Sequence, residues 1–244
     1  MLLEINHVTK NFDGMTAIRD LSLSFEEGQL HCIIGPNGSG KTTLFNLITG
    51  YYTASSGWIL YEGADITKLP VHKIGQMGIC RKFQNPNVFS ELSVEDNLRV
   101  AMIGSQSIRS FFFRADEDVI HKEIYQVLEV VKLSHKRNWT ASSLSHGEKQ
   151  WLEIGMVLIK QPKIILLDEP TAGMTSQETA QTSQLIRHIC ATATVIVIEH
   201  DLDFIRSLNG HVIVLNRGQF LAAGSYEQIA ANQTVRDIYL GDEA

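Results

Sequence analysis

The sequence predicts an α/β fold: a mixed sheet with helices on both faces of its central strands, an antiparallel β portion, and a helical insertion. Three observations predict it. His31-Cys32-Ile33-Ile34, Ile164-Ile165-Leu166-Leu167 and Val195-Ile196-Val197-Ile198 are short unbroken apolar runs, as strands buried on both faces require. Leu21-Ser22-Leu23-Ser24-Phe25 instead alternates apolar and polar, the pattern of an antiparallel strand with one wet face. Between about 86 and 160 the pattern is mostly helical, with no run resembling a buried strand.

The helices announce themselves by their caps and stripes. Residues 42–49 form a helix stopped by Gly50. Ile120, Ile124, Val127, Leu128 and Val131 make one apolar stripe of an amphipathic helix. Ser145 with Glu148, Thr175 with Glu178 and Ser225 with Gln228 are capping boxes, the second opening a helix through about residue 191.

Composition narrows the function classes. At ~150 residues per domain, 244 residues allow one or two domains, and the lack of a Pro/Ser-rich linker favours one unit. A net charge of −6 gives no basic excess for binding a nucleic-acid backbone. Three cysteines, Cys32, Cys80 and Cys190, with no metal-ligand spacing read as reduced thiols of a cytosolic protein. No apolar stretch approaches the ~20 residues that cross a bilayer, and Glu4 and Asn6 interrupt any signal-peptide core. A membrane role is therefore expected to be peripheral.

Residues 35–43 read Gly35-Pro36-Asn37-Gly38-Ser39-Gly40-Lys41-Thr42-Thr43, matching G-x-x-x-x-G-K-[ST] between a buried-type strand and a helix. The glycines let successive backbone N–H groups turn inward around phosphate oxygens at a helix N-terminus, where the dipole favours an anion. Lys41 supplies charge for the β and γ phosphates, and the Thr42 hydroxyl is placed for Mg²⁺. A nucleotide is expected here.

The strand ending in Asp168-Glu169 supplies two carboxylates. Asp168 is expected to hold Mg²⁺, mostly through water, and Glu169 to act as the general base on the attacking water. The run 195–198 ends in Glu199-His200-Asp201. From the residues alone, His200 is either a donor to the γ-phosphate or an ordinary structural hydrogen-bonder.

Leu144-Ser145-His146-Gly147-Glu148-Lys149-Gln150 completes an order of motifs that resembles an ABC-type ATPase over essentially the whole chain. The resemblance implies an ABC nucleotide-binding domain: a phosphate-loop core with antiparallel subdomain at about 1–85 and 161–244, and a helical subdomain at about 86–160. It implies that Ser145 and Gly147 form the signature motif that closes over a partner's ATP in a head-to-tail pair. It implies that Gln84 is the glutamine-loop residue touching the Mg²⁺ and water region. Phe12 matches the aromatic that stacks on adenine, although an edge-strand aromatic is the plainer reading of that residue. His146 stands where Gly is common, Glu148 where Gln is usual, and Thr175 where many members have Asp.

Arg81-Lys82-Phe83-Gln84 with Val88, Phe89 and Leu92, residues 144–156, and Ala172-Gly173-Met174-Thr175 are most similar to branched-chain amino-acid and amide importer ATPases, the urea type above all. That implies an ATP-hydrolysing subunit, peripheral on the cytoplasmic face of the inner membrane. Its partners are then permease subunits, a second nucleotide-binding subunit and, indirectly, a solute-binding protein. Urea or a short amide is the expected cargo; the alternatives are a branched-chain amino-acid importer ATPase or a soluble ABC ATPase. Val88, Phe89 and Leu92 read equally as core residues or as the permease-facing surface. A phosphate-loop kinase would lack the signature, and a nonhydrolysing regulatory module would lack an intact catalytic set.

Overall fold

The computed structural model describes residues 1–82, 88–103 and 117–241. Two sheets organise them. Strands β1 (Leu3–Phe12), β2 (Met15–Phe25), β4 (Ser56–Tyr61) and β5 (Ala64–Asp65) form an antiparallel sheet in the order β2-β1-β4-β5. Leu21, Leu23 and Phe25 face its core while Ser22 and Ser24 stay exposed, as the alternation requires.

The second sheet runs β10 (Gln219–Gly224), β9 (His211–Asn216), β3 (Leu30–Ile34), β8 (Thr194–Ile198), β7 (Ile164–Asp168), β6 (Ile79–Lys82). All its pairings are parallel except the β9–β10 hairpin. The three apolar runs are thus its central strands. Cys32, Ile34, Ile165, Leu167, Val195 and Val197 face one hydrophobic cluster, and Ile33, Ile164, Leu166, Ile196 and Ile198 face the other.

Helices cover both faces: α1 (Lys41–Ile48), α2 (Val71–Gln76), α3 (Val94–Ile103), α4 (Glu117–Val130), α5 (His146–Leu158), α6 (Ser176–Ile189), α7 (Leu202–Leu208), α8 (Tyr226–Ala231) and α9 (Gln233–Gly241). The first cluster joins the sheet to α3, α4, α5 and α6, through Leu98, Ile124, Leu152 and Ile186 among others. The second joins it to α1 and the antiparallel sheet, through Phe45, Ile5 and Phe25. The stripe residues Ile120, Ile124, Leu128 and Val131 are buried as expected. All three capping boxes form, each with the cap hydroxyl accepting the N3 backbone N–H and the N3 side chain accepting the cap's N–H. Helix α6 stops at Ile189, two residues short of the expected end. No helix among the described residues is long and apolar enough to cross a membrane.

Candidate nucleotide site

Strand order brings the motifs together. β3, β8 and β7 are parallel neighbours, so the segments leaving their C-terminal ends emerge at one edge, where ligands of open parallel sheets bind. These segments are the loop 35–43, Glu199-His200 and Asp168-Glu169. Backbone bonds fix the alignment: Glu169 N–H donates to Ile198 O at 2.9 Å, and Glu199 N–H to Ile33 O at 3.5 Å.

The loop needs its glycines for two different reasons. A Cβ on Gly35 would collide with the Leu215 carbonyl, so the loop lies directly against β9. Gly40, at φ +99, caps α1 in the left-handed region, and a Cβ there would meet Ala17 O at 2.8 Å. Lys41 Nζ donates to Gly35 O at 2.7 Å and Pro36 O at 3.0 Å, folding the ammonium back over the loop. Burial lowers the Lys41 pKa, against the opposing pull of Glu169 and Asp168. The buried Ser39 hydroxyl has no partner among the described residues, leaving a hydrogen-bonding group unspent inside the loop. Asn37, Gly38 and Thr42 are exposed, and Pro36 and Thr43 half-buried, so the outer rim of the loop is open.

Asp168 is 5% exposed at the end of β7, and its Oδ2 accepts from Arg81 at 2.6 Å. Glu169 follows at φ +45, a left-handed conformation that a non-glycine residue holds at a cost of about 1 kcal/mol or more. His200 Nδ1 lies 3.9 Å from Glu169 Oε1, with the imidazole 70% exposed. Glu199 is 1% exposed and accepts from Thr171 N–H, Thr171 Oγ1 and its neighbour His200 N–H, at 3.1, 2.6 and 3.1 Å. It therefore ties the end of β8 to the turn after Glu169.

Phe12 packs edge-on against Tyr52, with ring centroids 5.0 Å apart and Lys10 Nζ 4.8 Å from its ring. Gln84 lies outside the described residues, as does Phe83.

Ser145 and Gly147 open α5, and there the structure adds something the sequence did not announce. Ser145 Oγ donates to Glu178 Oε1 at 3.2 Å, and that carboxylate also sits against the Gly147 backbone, where a Cβ would clash. The Thr175 N–H first, with Thr175 and Ser145 hydroxyls adding to it, holds Glu178 below the usual carboxylate range. His146 Nε2 lies 3.0 Å from Ala172 O. The start of α5 and the 171–178 segment are thus stitched together in one chain. Glu148 completes its capping box and accepts from Lys136 Nζ at 2.6 Å.

Sequence reasoning missed three residues. Arg81 was visible only as part of a motif, since its partners Asp168 and Asn46 lie far away in sequence. Glu199 was visible only as a neighbour of His200. Asn97 gave no signal: fully buried, it holds Phe89 by accepting its N–H at 2.8 Å and donating to its carbonyl at 3.1 Å.

A family model described as "ABC transporter" matches residues 18–172. The chain belongs to the ABC transporter family. It is an ATPase cassette of that family, whose ATP hydrolysis is coupled to transport. It is 37% identical over 250 residues to the high-affinity branched-chain amino acid transport ATP-binding protein BraF of Pseudomonas aeruginosa, covering 99% of this chain and 98% of that one. It is 34% identical to LivG of Escherichia coli, a protein of the same description, over the same shares. Among solved structures, the ADP conformation of MJ1267, an ATP-binding cassette of an ABC transporter, matches with a TM-score of 0.87 and 33% identity over 98% of each chain.

Proposed function

We propose that this cassette is the ATP-hydrolysing subunit of a membrane importer for branched-chain amino acids, working as one half of a nucleotide-sandwiching pair. The observation that carries the reading is the convergence of 35–43, Asp168-Glu169 and Glu199-His200 at one edge of the parallel sheet. The cargo follows the two named relatives, both branched-chain amino-acid transport proteins. Urea or a short amide is the second reading, favoured by the flavour of residues 81–84, 144–156 and 172–175.

Each residue then has a role. Phe12 stacks on adenine, and the N–H groups of 35–43 grip the phosphates with Lys41. Glu169 takes a proton from the attacking water, and His200 donates to the γ-phosphate and steadies that water. Gln84, as the glutamine-loop residue of the family resemblance, is assigned to the Mg²⁺ and water region. Ser145 and Gly147 close over the partner's ATP, so catalysis is mainly positioning and electrostatics.

The donor set fits Mg²⁺. Thr42 and Asp168 offer hard oxygen ligands, and no cluster of three or more metal-ligating side chains exists among the described residues. Mg²⁺ characteristically takes one or two protein oxygens and completes its shell with water and substrate phosphates, where it neutralises developing charge.

The helical subdomain at about 86–160 is the arm that meets the permease at the inner membrane face. Phe89 supports this: the residue is 50% exposed while Asn97 bonds both its N–H and its carbonyl, an anchored apolar knob for a partner. Val88, by contrast, packs against the core. A solute-binding protein engages the permease, not this chain.

The test is reconstitution with the co-purified permease and binding protein. ATP hydrolysis stimulated by leucine, isoleucine or valine is the expected result; stimulation by urea alone moves the cargo to the second reading. Hydrolysis that never requires a membrane partner overturns the transport role.

A further inference from the structure

Arg81 and Lys82 are consecutive on β6 and therefore point to opposite faces of the sheet. Both meet buried carboxylates: Lys82 Nζ lies 3.5 Å from Glu153 Oε2 on α5, and Arg81 meets Asp168. The Arg81 contact is the more unusual. One terminal nitrogen donates to Asp168 Oδ2 and the other to Asn46 Oδ1 on α1, each at 2.6 Å, with the guanidinium 5.5 Å from the Phe45 ring centroid. The Arg81 side chain is only 6% exposed. A single planar cation thus bridges the phosphate-loop helix and the acid at the end of β7.

We propose that Arg81 is a positioning residue that neutralises and orients Asp168, so that the cassette takes up a divalent cation only together with a nucleotide. This rests on the reading of Asp168 as the metal-side carboxylate. Asp168 and Glu169 stand against Lys41 and Arg81, four formal charges that cancel among themselves. A divalent cation arriving alone meets two cations and a carboxylate already engaged, in a region where screening by water is weak. A triphosphate reverses that balance by bringing several negative charges to the loop. Arginine suits this task because its guanidinium stays charged at every working pH and its rigid fork engages two acceptors at once. Lysine would offer a point charge without fixing the carboxylate.

The experiment measures binding of Mn²⁺, a paramagnetic substitute for Mg²⁺, to the full chain without nucleotide. It compares the native protein with Arg81→Met, Asp168→Asn and the double variant. The native protein should show no saturable binding. Arg81→Met should bind Mn²⁺ saturably, half-saturating at least about tenfold below the highest concentration at which the native protein shows no saturation, as expected when an opposing charge within contact distance is removed. The double variant should lose that gain. Saturable binding to native Asp168, or an Arg81→Met variant that behaves as native, overturns the proposal. Where Arg81→Met does not fold, Arg81→Gln repeats the comparison with a polar side chain and the charge lost. Refolding of either variant by Mn²⁺ alone supports the proposal, and failure of both to fold with Mn²⁺ counts against it. The underlying reading is checked separately: if Asp168→Asn leaves the Mn²⁺ requirement for binding a nonhydrolysable ATP analogue unchanged, the metal assignment of Asp168 fails. If it raises that requirement while Arg81→Met stays silent, the role of Arg81 alone fails.

Discussion

His31 is the second residue of β3, 3% exposed, between the rings of Phe25 and His211 at centroid distances of 5.0 and 5.9 Å. Neither ring nitrogen has a hydrogen-bond partner among the described residues. Burial first, and the nearby His211 second, lower its pKa to about 4. The unfolded chain, near 6.5, binds more protons below that value, so His31 costs no stability above pH 6.5. It costs increasingly more as the pH falls toward 4. The loss is about 2 kcal/mol by pH 5 and about 3 kcal/mol once complete. Denaturation midpoints at pH 7 and pH 5 measure it, and His31→Phe should flatten the difference. At the same scale, Glu169→Gln should keep ATP binding while slowing phosphate release by ~10²-fold or more. Unchanged turnover removes Glu169 as the base. Lys41→Ala should lose nucleotide affinity, read by fluorescent-ATP titration.

Elements were legible where one physical rule decided them. Complete burial demands unbroken apolar runs, so the centres of β3, β7 and β8 stood out. Capping boxes are local in sequence, so α5, α6 and α8 were placed at their first residues. Strand β1 obeys neither rule. His7 at φ +49 and register shifts between Ile5 and Val8 break its alternation, so its buried residues do not fall at a period of two. The caps also give a measurable expectation. Thr175→Ala removes the acceptor for Glu178 N–H and should cost about 1 kcal/mol in chemical denaturation. Leu166, fully buried in β7, should cost about 2–5 kcal/mol as alanine.

For the molecule as a whole, the loop 35–43 and the pair Asp168-Glu169 stood out in the sequence because each is a contiguous motif, and the structure sets both at one edge of the parallel sheet. The contacts between segments did not stand out, because Arg81–Asp168, Ser145–Glu178 and Asn97–Phe89 depend on how distant stretches meet. The proposed pairing of two cassettes adds a prediction at this scale. Ser145→Arg should abolish hydrolysis while single-chain ATP affinity stays intact, and Glu169→Gln with ATP should elute as a dimer that Ser145→Arg prevents. A fully active Ser145→Arg variant would remove the shared site.

The carboxylate of Glu199 has one more consequence. It is sealed from solvent and clasps Thr171 while belonging to the strand that delivers His200. Moving the end of that strand away from the turn beyond Glu169 must therefore first break two hydrogen bonds to a buried carboxylate. Glu199 therefore holds the segments carrying Glu169 and His200 in one frame.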